Sequence, residues 1–122
     1  SLNANGIRAA ARKGFFDWLQ AQKADFVCIQ ETKAQVHQLT DECFSPAGYH
    51  CFYEDAVKKG YSGVAIYSRV KPKKIIEGLG SHDIDIEGRY LEFQYSKLSV
   101  ISLYLPSGSS GEARQAVKVS FD

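Results

Sequence analysis

The chain has 122 residues, 44% hydrophobic, 24% charged and 12% aromatic, which is the composition of one small globular domain and excludes a disordered or fibrous polypeptide. Fifteen basic and 14 acidic residues leave a formal charge of +1, which excludes a histone-like polycation but not a local basic patch. No apolar run approaches the length of about 18 residues that reads as a membrane span, and no charged-then-apolar leader opens the chain, so neither a span nor a secretory signal is expected.

In chain order, Ser1-Leu2 reads as the end of a strand, followed by the loop Asn3-Ala4-Asn5-Gly6. Apolar residues at Ile7, Ala11, Phe15, Trp18 and Leu19 recur in steps of three and four and predict one amphipathic helix ending near Gln22 or Lys23. Gly14 lies inside it, at a cost of about 1 kcal/mol against alanine. Trp18 is its expected core anchor. Asp25 to Gln30 is a short apolar run with β-branched residues and predicts a buried strand. Residues 34–47 are mixed and polar, with room for a short helix. The period then changes to two, and strands are predicted over Tyr49 to Tyr53, Gly63 to Ser68, Lys74 to Leu79, Arg89 to Tyr95 and Leu98 to Leu105. Short turns between them argue for antiparallel hairpins. Pro106 to Gly111 reads as a loop, and the segment from Glu112 has helical composition. The three cysteines, Cys28, Cys43 and Cys51, fit no metal-binding spacing and read as free thiols of a reducing compartment. The chain holds no methionine and stops within the expected last helix, so it is expected to be a piece of a longer polypeptide.

Asn3 and Asn5 follow one predicted strand and Glu31 follows the next. If those strands are neighbours, all three side chains meet at one sheet edge, where α/β folds build sites. A carboxylate flanked by amides suits a hard, oxygen-seeking cation such as Mg²⁺. The competing reading is plain loop capping by turn-forming asparagines. Basic residues gather at Lys58, Lys59, Arg69, Lys71, Lys73 and Lys74, with Tyr61 and Tyr67 interleaved, as in a phosphate-binding patch. Lysines on hairpins and edge strands also arise simply to block aggregation. His37, His50 and His82 form no nucleophile–base arrangement, and Gly108-Ser109-Ser110-Gly111 lacks the lysine of a phosphate-binding loop.

Five segments occur in order: Ser-Leu-Asn-Ala-Asn-Gly-Ile-Arg-Ala, Ile-Gln-Glu-Thr-Lys, Gly-Tyr-Ser-Gly-Val-Ala, Glu-Gly-Arg and Leu-Tyr-Leu-Pro-Ser-Gly. Together they resemble the N-terminal half of the exonuclease III family of apurinic/apyrimidinic (AP) endonucleases, within the endonuclease/exonuclease/phosphatase superfamily. The resemblance implies an α/β fold: half of a four-layered α/β sandwich, with a mostly antiparallel mixed sheet and helices outside. Residues 1–122 would be the N-terminal part of a single domain whose remainder is absent. It implies a DNA-repair hydrolase that cuts 5′ to abasic sites and trims 3′ ends of double-stranded DNA, with Mg²⁺ as cofactor and Mn²⁺ as substitute. Asn3 and Tyr104 match catalytic positions, Glu31 and Asn5 match the metal site, and Arg8, Lys33, Tyr61 and Arg89 match positions facing the DNA backbone. The family's later Gly-Asp-x-Asn and Asp-His motifs do not occur in these 122 residues. The second sheet of the sandwich is therefore expected to be missing and the isolated chain to be inactive. The parent is expected to be a monomer of the bacterial cytosol, without a membrane partner. Three alternatives stay open: a phosphoinositide or sphingolipid phosphodiesterase cousin, a non-catalytic DNA-binding module, and a plain α/β domain in which Glu31 caps a loop.

Overall fold

In the computed structural model, residues 1–78, 80, 87–106 and 113–121 are described, the segments 105–106 and 113–121 through their backbone alone. The first sheet comprises β1 (Leu2–Asn3), β2 (Phe26–Gln30), β3 (His50–Glu54) and β4 (Val64–Ser68), in the order β1-β2-β4-β3. β1 runs parallel to β2, with Leu2 opposite Ile29 and Asn3 opposite Gln30; β4 is antiparallel to both β2 and β3. The second sheet is an antiparallel meander of β5 (Lys74–Glu77), β6 (Tyr90–Gln94), β7 (Leu98–Pro106) and β8 (Ala113–Phe121).

Side chains on a strand alternate between faces, and the sequence of the first sheet uses both. Val27 and Ile29 of β2 and Ala65 and Tyr67 of β4 join a core with Ile7, Phe15, Leu19 and Phe44. The residues between them, Cys28, Val64 and Ile66, join Leu91, Phe93 and Val100 of the second sheet in a separate core. β4 is buried along its whole length because it is covered on both faces. A buried polar pair bridges this inter-sheet layer: the Gln30 amide donates to Ser102 Oγ at 3.1 Å, and Ser102 Oγ donates to the Ile29 carbonyl at 3.2 Å.

The second sheet is thus present, and the expectation that it would be missing is corrected. The chain contributes strands to both sheets, so the apolar inner face of the first is covered.

The single helix predicted from Ile7 is two: α1 (Ile7–Arg12) and α2 (Phe15–Ala21). Gly14, at φ +93°, takes the left-handed conformation that caps one helix and redirects the chain into the next. The apolar spacing survives this break, which is why periodicity alone missed it. The turn also moves Trp18 outward, and it is 46% exposed rather than a core anchor. The polar stretch before Gly48 holds two single turns of 3₁₀ helix, Val36–Gln38 and Glu42–Phe44. The expected final helix is strand β8, paired with β7 from Leu98–Phe121 to Pro106–Ala113. Leu79, His82 and the Gly108–Gly111 loop lie outside the described residues. Among the described residues no helix is long and apolar enough to cross a membrane.

All three cysteines are free, with Cys28 buried between the sheets and Cys43 exposed. Burial pushes the Cys28 thiol from its usual value near 9.0 up to about 11. Because the folded value is raised, the stability this neutral thiol contributes is complete below pH 9 and is lost as pH rises through 11. Urea unfolding of wild type should therefore weaken over that interval more than unfolding of Cys28→Ala, in which only the other alkaline groups titrate. Parallel curves for the two proteins would contradict the assignment.

Candidate active site

The loops after β1 and β2 are stitched together by their backbones. Ala4 N donates to the Gln30 carbonyl at 2.9 Å, Gly6 N to that of Glu31 at 2.8 Å and Ile7 N to that of Thr32 at 2.9 Å. On the other side, Thr32 N donates to the Gly63 carbonyl at 3.1 Å and Lys33 N to that of Ser62 at 2.8 Å. β1 and β2 are thus the neighbours on which the shared edge was conditional, and their parallel pairing continues past the strand ends and brings Asn3, Asn5 and Glu31 to one edge. Asn5, Glu31, Lys33 and Ser62, at φ +47°, +57°, +52° and +51°, are the non-glycine residues with left-handed backbones among those described. Such conformations persist only where surrounding contacts over-determine them, and they concentrate at functional sites.

Tyr104 reaches this edge from β7 of the other sheet, and its hydroxyl donates to Glu31 Oε1 at 2.8 Å. Burial first, then this bond to the carboxylate, push the Tyr104 phenol up to about 12, so it remains a donor through the neutral range. Asn3 Oδ1 accepts from Asn5 N at 2.9 Å, the local turn that the capping reading anticipates. Lys33 Nζ donates to Asn5 Oδ1 at 2.7 Å. All four expected catalytic and metal-site residues thus lie in one neighbourhood with Lys33 among them.

The remaining expected DNA-facing residues divide. Arg8 is exposed on α1 and, with Arg12, Lys33, Gly6, Ala9 and Gly60, lines an open cleft of about 380 Å³. Arg12 was missed from sequence, although its four-residue spacing from Arg8 on a helix was a readable signal. Arg89 is turned inward: its side chain is 17% exposed, paired with Glu87, and its Nη2 donates to the Tyr61 hydroxyl at 3.2 Å. Tyr61 in turn lies under Lys58, whose Nζ is 5.3 Å from the ring centroid.

The basic segment 58–74 is not one patch. Lys58 and Lys59 precede β4 at the Glu31 end, whereas Arg69 and the lysines after it follow β4 at the opposite end. Arg69 donates to the Gln22 and Ala24 carbonyls at 2.7 and 3.1 Å and stacks on Tyr49, which makes it a structural clamp. Tyr67 is fully buried, with its hydroxyl 2.6 Å from that of Tyr53. Of the histidines, His50 is exposed opposite Ser68, far along β4 from the site.

Residues 1–119 match the Endonuclease/Exonuclease/phosphatase family. The chain belongs to that family. It is similar to an exodeoxyribonuclease of Bacillus subtilis (strain 168), 39% identical over 115 residues, which are 93% of this chain and 44% of the relative. Its fold matches an AP endonuclease from Archaeoglobus fulgidus with a TM-score of 0.73 and 33% identity, covering 86% of this chain and 39% of the other. It also matches a Neisseria 3′ phosphatase, NExo, bound to product DNA hairpin, with a TM-score of 0.74 and 26% identity over 88% of this chain and 40% of that one. The chain spans less than half the length of each of these.

In this member of the endonuclease/exonuclease/phosphatase family the oxygen-rich edge suits a hard divalent cation. Glu31 supplies the carboxylate, and Asn3, Asn5 and Tyr104 supply neutral oxygens. No group of three or more His, Cys, Asp or Glu side chains that could hold a metal exists among the described residues. A set with one carboxylate and neutral amide and hydroxyl oxygens is compatible with a hard divalent cation that keeps several of its own waters, rather than with an all-protein cage.

Two buried hydroxyls flank Glu31 and Lys33 without partners: Thr32 Oγ1, in a residue 1% exposed, and Ser62 Oγ, in one 2% exposed. Thr32 also limits its neighbour, because a Cβ on Gly63 would stand 2.1 Å from Thr32 Oγ1. Gly63→Ala should therefore destabilise the protein by about 1–3 kcal/mol from overpacking, beyond the strain of φ +88°. Adding Thr32→Ala should recover the larger part of that loss in a urea-denaturation cycle. Strict additivity of the two substitutions would show that the clash is not what constrains this turn.

Proposed function

We propose that this chain is the N-terminal, metal-binding part of a DNA-repair nuclease of exonuclease III type. The parent protein hydrolyses phosphodiesters 5′ to abasic sites and removes nucleotides and blocking groups from 3′ ends of duplex DNA. The observation that carries this reading is the Tyr104–Glu31 contact, which joins a phosphate-orienting hydroxyl from one sheet to the carboxylate at the edge of the other. The relatives named above include an exodeoxyribonuclease, an AP endonuclease and a DNA-bound phosphatase, which favours DNA over a phosphoinositide or sphingolipid substrate. The chain's span of about two fifths of those relatives supports its being one part of a single catalytic domain, and the proposal takes the parent to be a monomer of the bacterial cytosol.

Glu31 and Asn5 would hold the Mg²⁺ ion, which when bound would supply positive charge against the phosphate and its leaving oxygen. Asn3 presents its carboxamide to the phosphate and fixes the Asn5 loop through the bond to Asn5 N. Tyr104 remains a neutral donor throughout the working pH range and can pass its hydrogen bond from Glu31 to a phosphate oxygen. Arg8, Lys33 and Tyr61 hold the DNA backbone, with Arg12 added to them from the cleft. Arg89 orients the Tyr61 hydroxyl. Contacts of this kind fix register without reading sequence, so sequence preference is slight. The group that deprotonates the attacking water is supplied outside these 122 residues, and the isolated polypeptide is accordingly inactive.

The test is incision of a duplex carrying one abasic site by the full-length protein, in Mg²⁺, in Mn²⁺ and in EDTA. Glu31→Gln should lower kcat/KM by at least about 100-fold, the scale of several kcal/mol of lost charge stabilisation. Incision that survives EDTA, or that Glu31→Gln leaves intact, would overturn the reading. Salt-sensitive DNA binding without any cleavage would assign the chain to a binding module instead.

A further inference from the structure

We infer that Lys33 is a displaceable cation plug: its ammonium holds Asn5 Oδ1 until a divalent cation enters at Glu31, and is then released to a DNA phosphate in the cleft beside Arg8. This rests on the metal site proposed above and adds to it a coupling between metal binding and backbone binding.

Three observations carry it. Lys33 Nζ occupies the amide oxygen of Asn5 at 2.7 Å, one of the few neutral oxygens beside Glu31 that a cation there could use. The two positive charges compete for one oxygen and repel each other at close range. Lys33 also lines the cleft with Arg8 and Arg12, so the same ammonium serves two places. Its anchors differ accordingly. The Lys33 backbone is fixed at φ +52° by donation to the Ser62 carbonyl, whereas its side chain is only half-buried and carries four flexible methylenes.

The identity of residue 5 makes the plug removable. Asn5 is neutral, so Lys33 is held by an ion–dipole contact rather than by an ion pair. Asn5 keeps its place without the lysine, because its backbone N is held by Asn3 Oδ1 and the loop is stitched to Glu31. The exchange therefore moves one side chain and no backbone. In the metal-free protein the cleft presents two free guanidiniums and a committed ammonium; in the metal-bound protein it presents three cations. Metal and DNA then strengthen each other's binding.

The test uses the full-length protein and two readouts that need no turnover. The first is Mn²⁺ affinity without DNA, by electron paramagnetic resonance. Lys33→Gln should tighten it roughly tenfold by removing the competing charge, and Lys33→Arg, which keeps the charge, should not. The second is the salt dependence of binding to an abasic-analogue duplex in Ca²⁺ and in EDTA. One added phosphate contact should steepen the slope of log Kobs against log[salt] by about 0.9 in Ca²⁺, and Lys33→Gln should abolish that difference. Unchanged or weaker Mn²⁺ binding in Lys33→Gln, or a slope difference that survives it, overturns the inference alone if Glu31→Gln still abolishes Mn²⁺ binding. Mn²⁺ binding that Glu31→Gln leaves intact overturns the metal site itself and the plug with it. Thermal unfolding of each variant checks that Lys33→Gln and Lys33→Arg are equally folded.

Discussion

Residues 31–33 are held from both sides by backbone hydrogen bonds, from Gly6 and Ile7 on one flank and to Ser62 and Gly63 on the other. Everything at the site depends on that double clamp. Three consecutive residues past the end of a strand have no ladder of their own, and Glu31 and Lys33 adopt left-handed backbones that cost energy in isolation. The clamp over-determines them. It also requires a residue without a side chain at Gly63, where any Cβ would collide with Thr32. A carboxylate placed this way is pre-oriented, so little ordering remains to be done when a cation or phosphate arrives.

The second sheet supplies what the first cannot. Sandwiching Cys28, Val64 and Ile66 against Leu91, Phe93 and Val100 fixes the distance between the sheets. That spacing lets a tyrosine on β7 meet a glutamate after β2, 73 residues earlier in the chain. The Gln30–Ser102 contact directly beneath them is buried and satisfied, and it pins the register of the two sheets next to the site. Burial and the carboxylate both keep Tyr104 protonated, so a packing decision becomes a chemical one: a donor is present wherever a phosphate oxygen would need it.

Local features of this architecture were legible in the sequence, and features set by distant partners were not. A short apolar run marked β2 and a period of two marked β4, β6 and β7, and the shared edge of Asn3, Asn5 and Glu31 followed from assuming that two successive strands are neighbours. The break at Gly14 was hidden because apolar spacing continued across it. Residues 113–121 combine a helical opening, Ala-Arg-Gln-Ala, with an alternating end, Val117, Val119 and Phe121, and pairing with β7 decided in favour of strand. Arg89 looked like a free cation because nothing local shows that Glu87 and Tyr61 would hold it. The basic segment looked continuous because its two halves are close in sequence, although the length of β4 separates them. Lys33 was placed against DNA from family resemblance, and its bond to Asn5 could only be seen once the loops were stitched together.

In the function proposed above, Glu31 anchors a divalent cation facing a DNA phosphate, with Tyr104 beside it. A crystal structure of the full-length protein with Mn²⁺ and an abasic duplex, phased to show manganese by anomalous scattering, tests it most directly. The expected result is an anomalous peak about 2.0–2.3 Å from a Glu31 carboxylate oxygen, with most of its other ligands water or phosphate, and the Tyr104 hydroxyl turned to a phosphate oxygen. Manganese bound elsewhere, with Glu31 still engaged only by Tyr104, would contradict it.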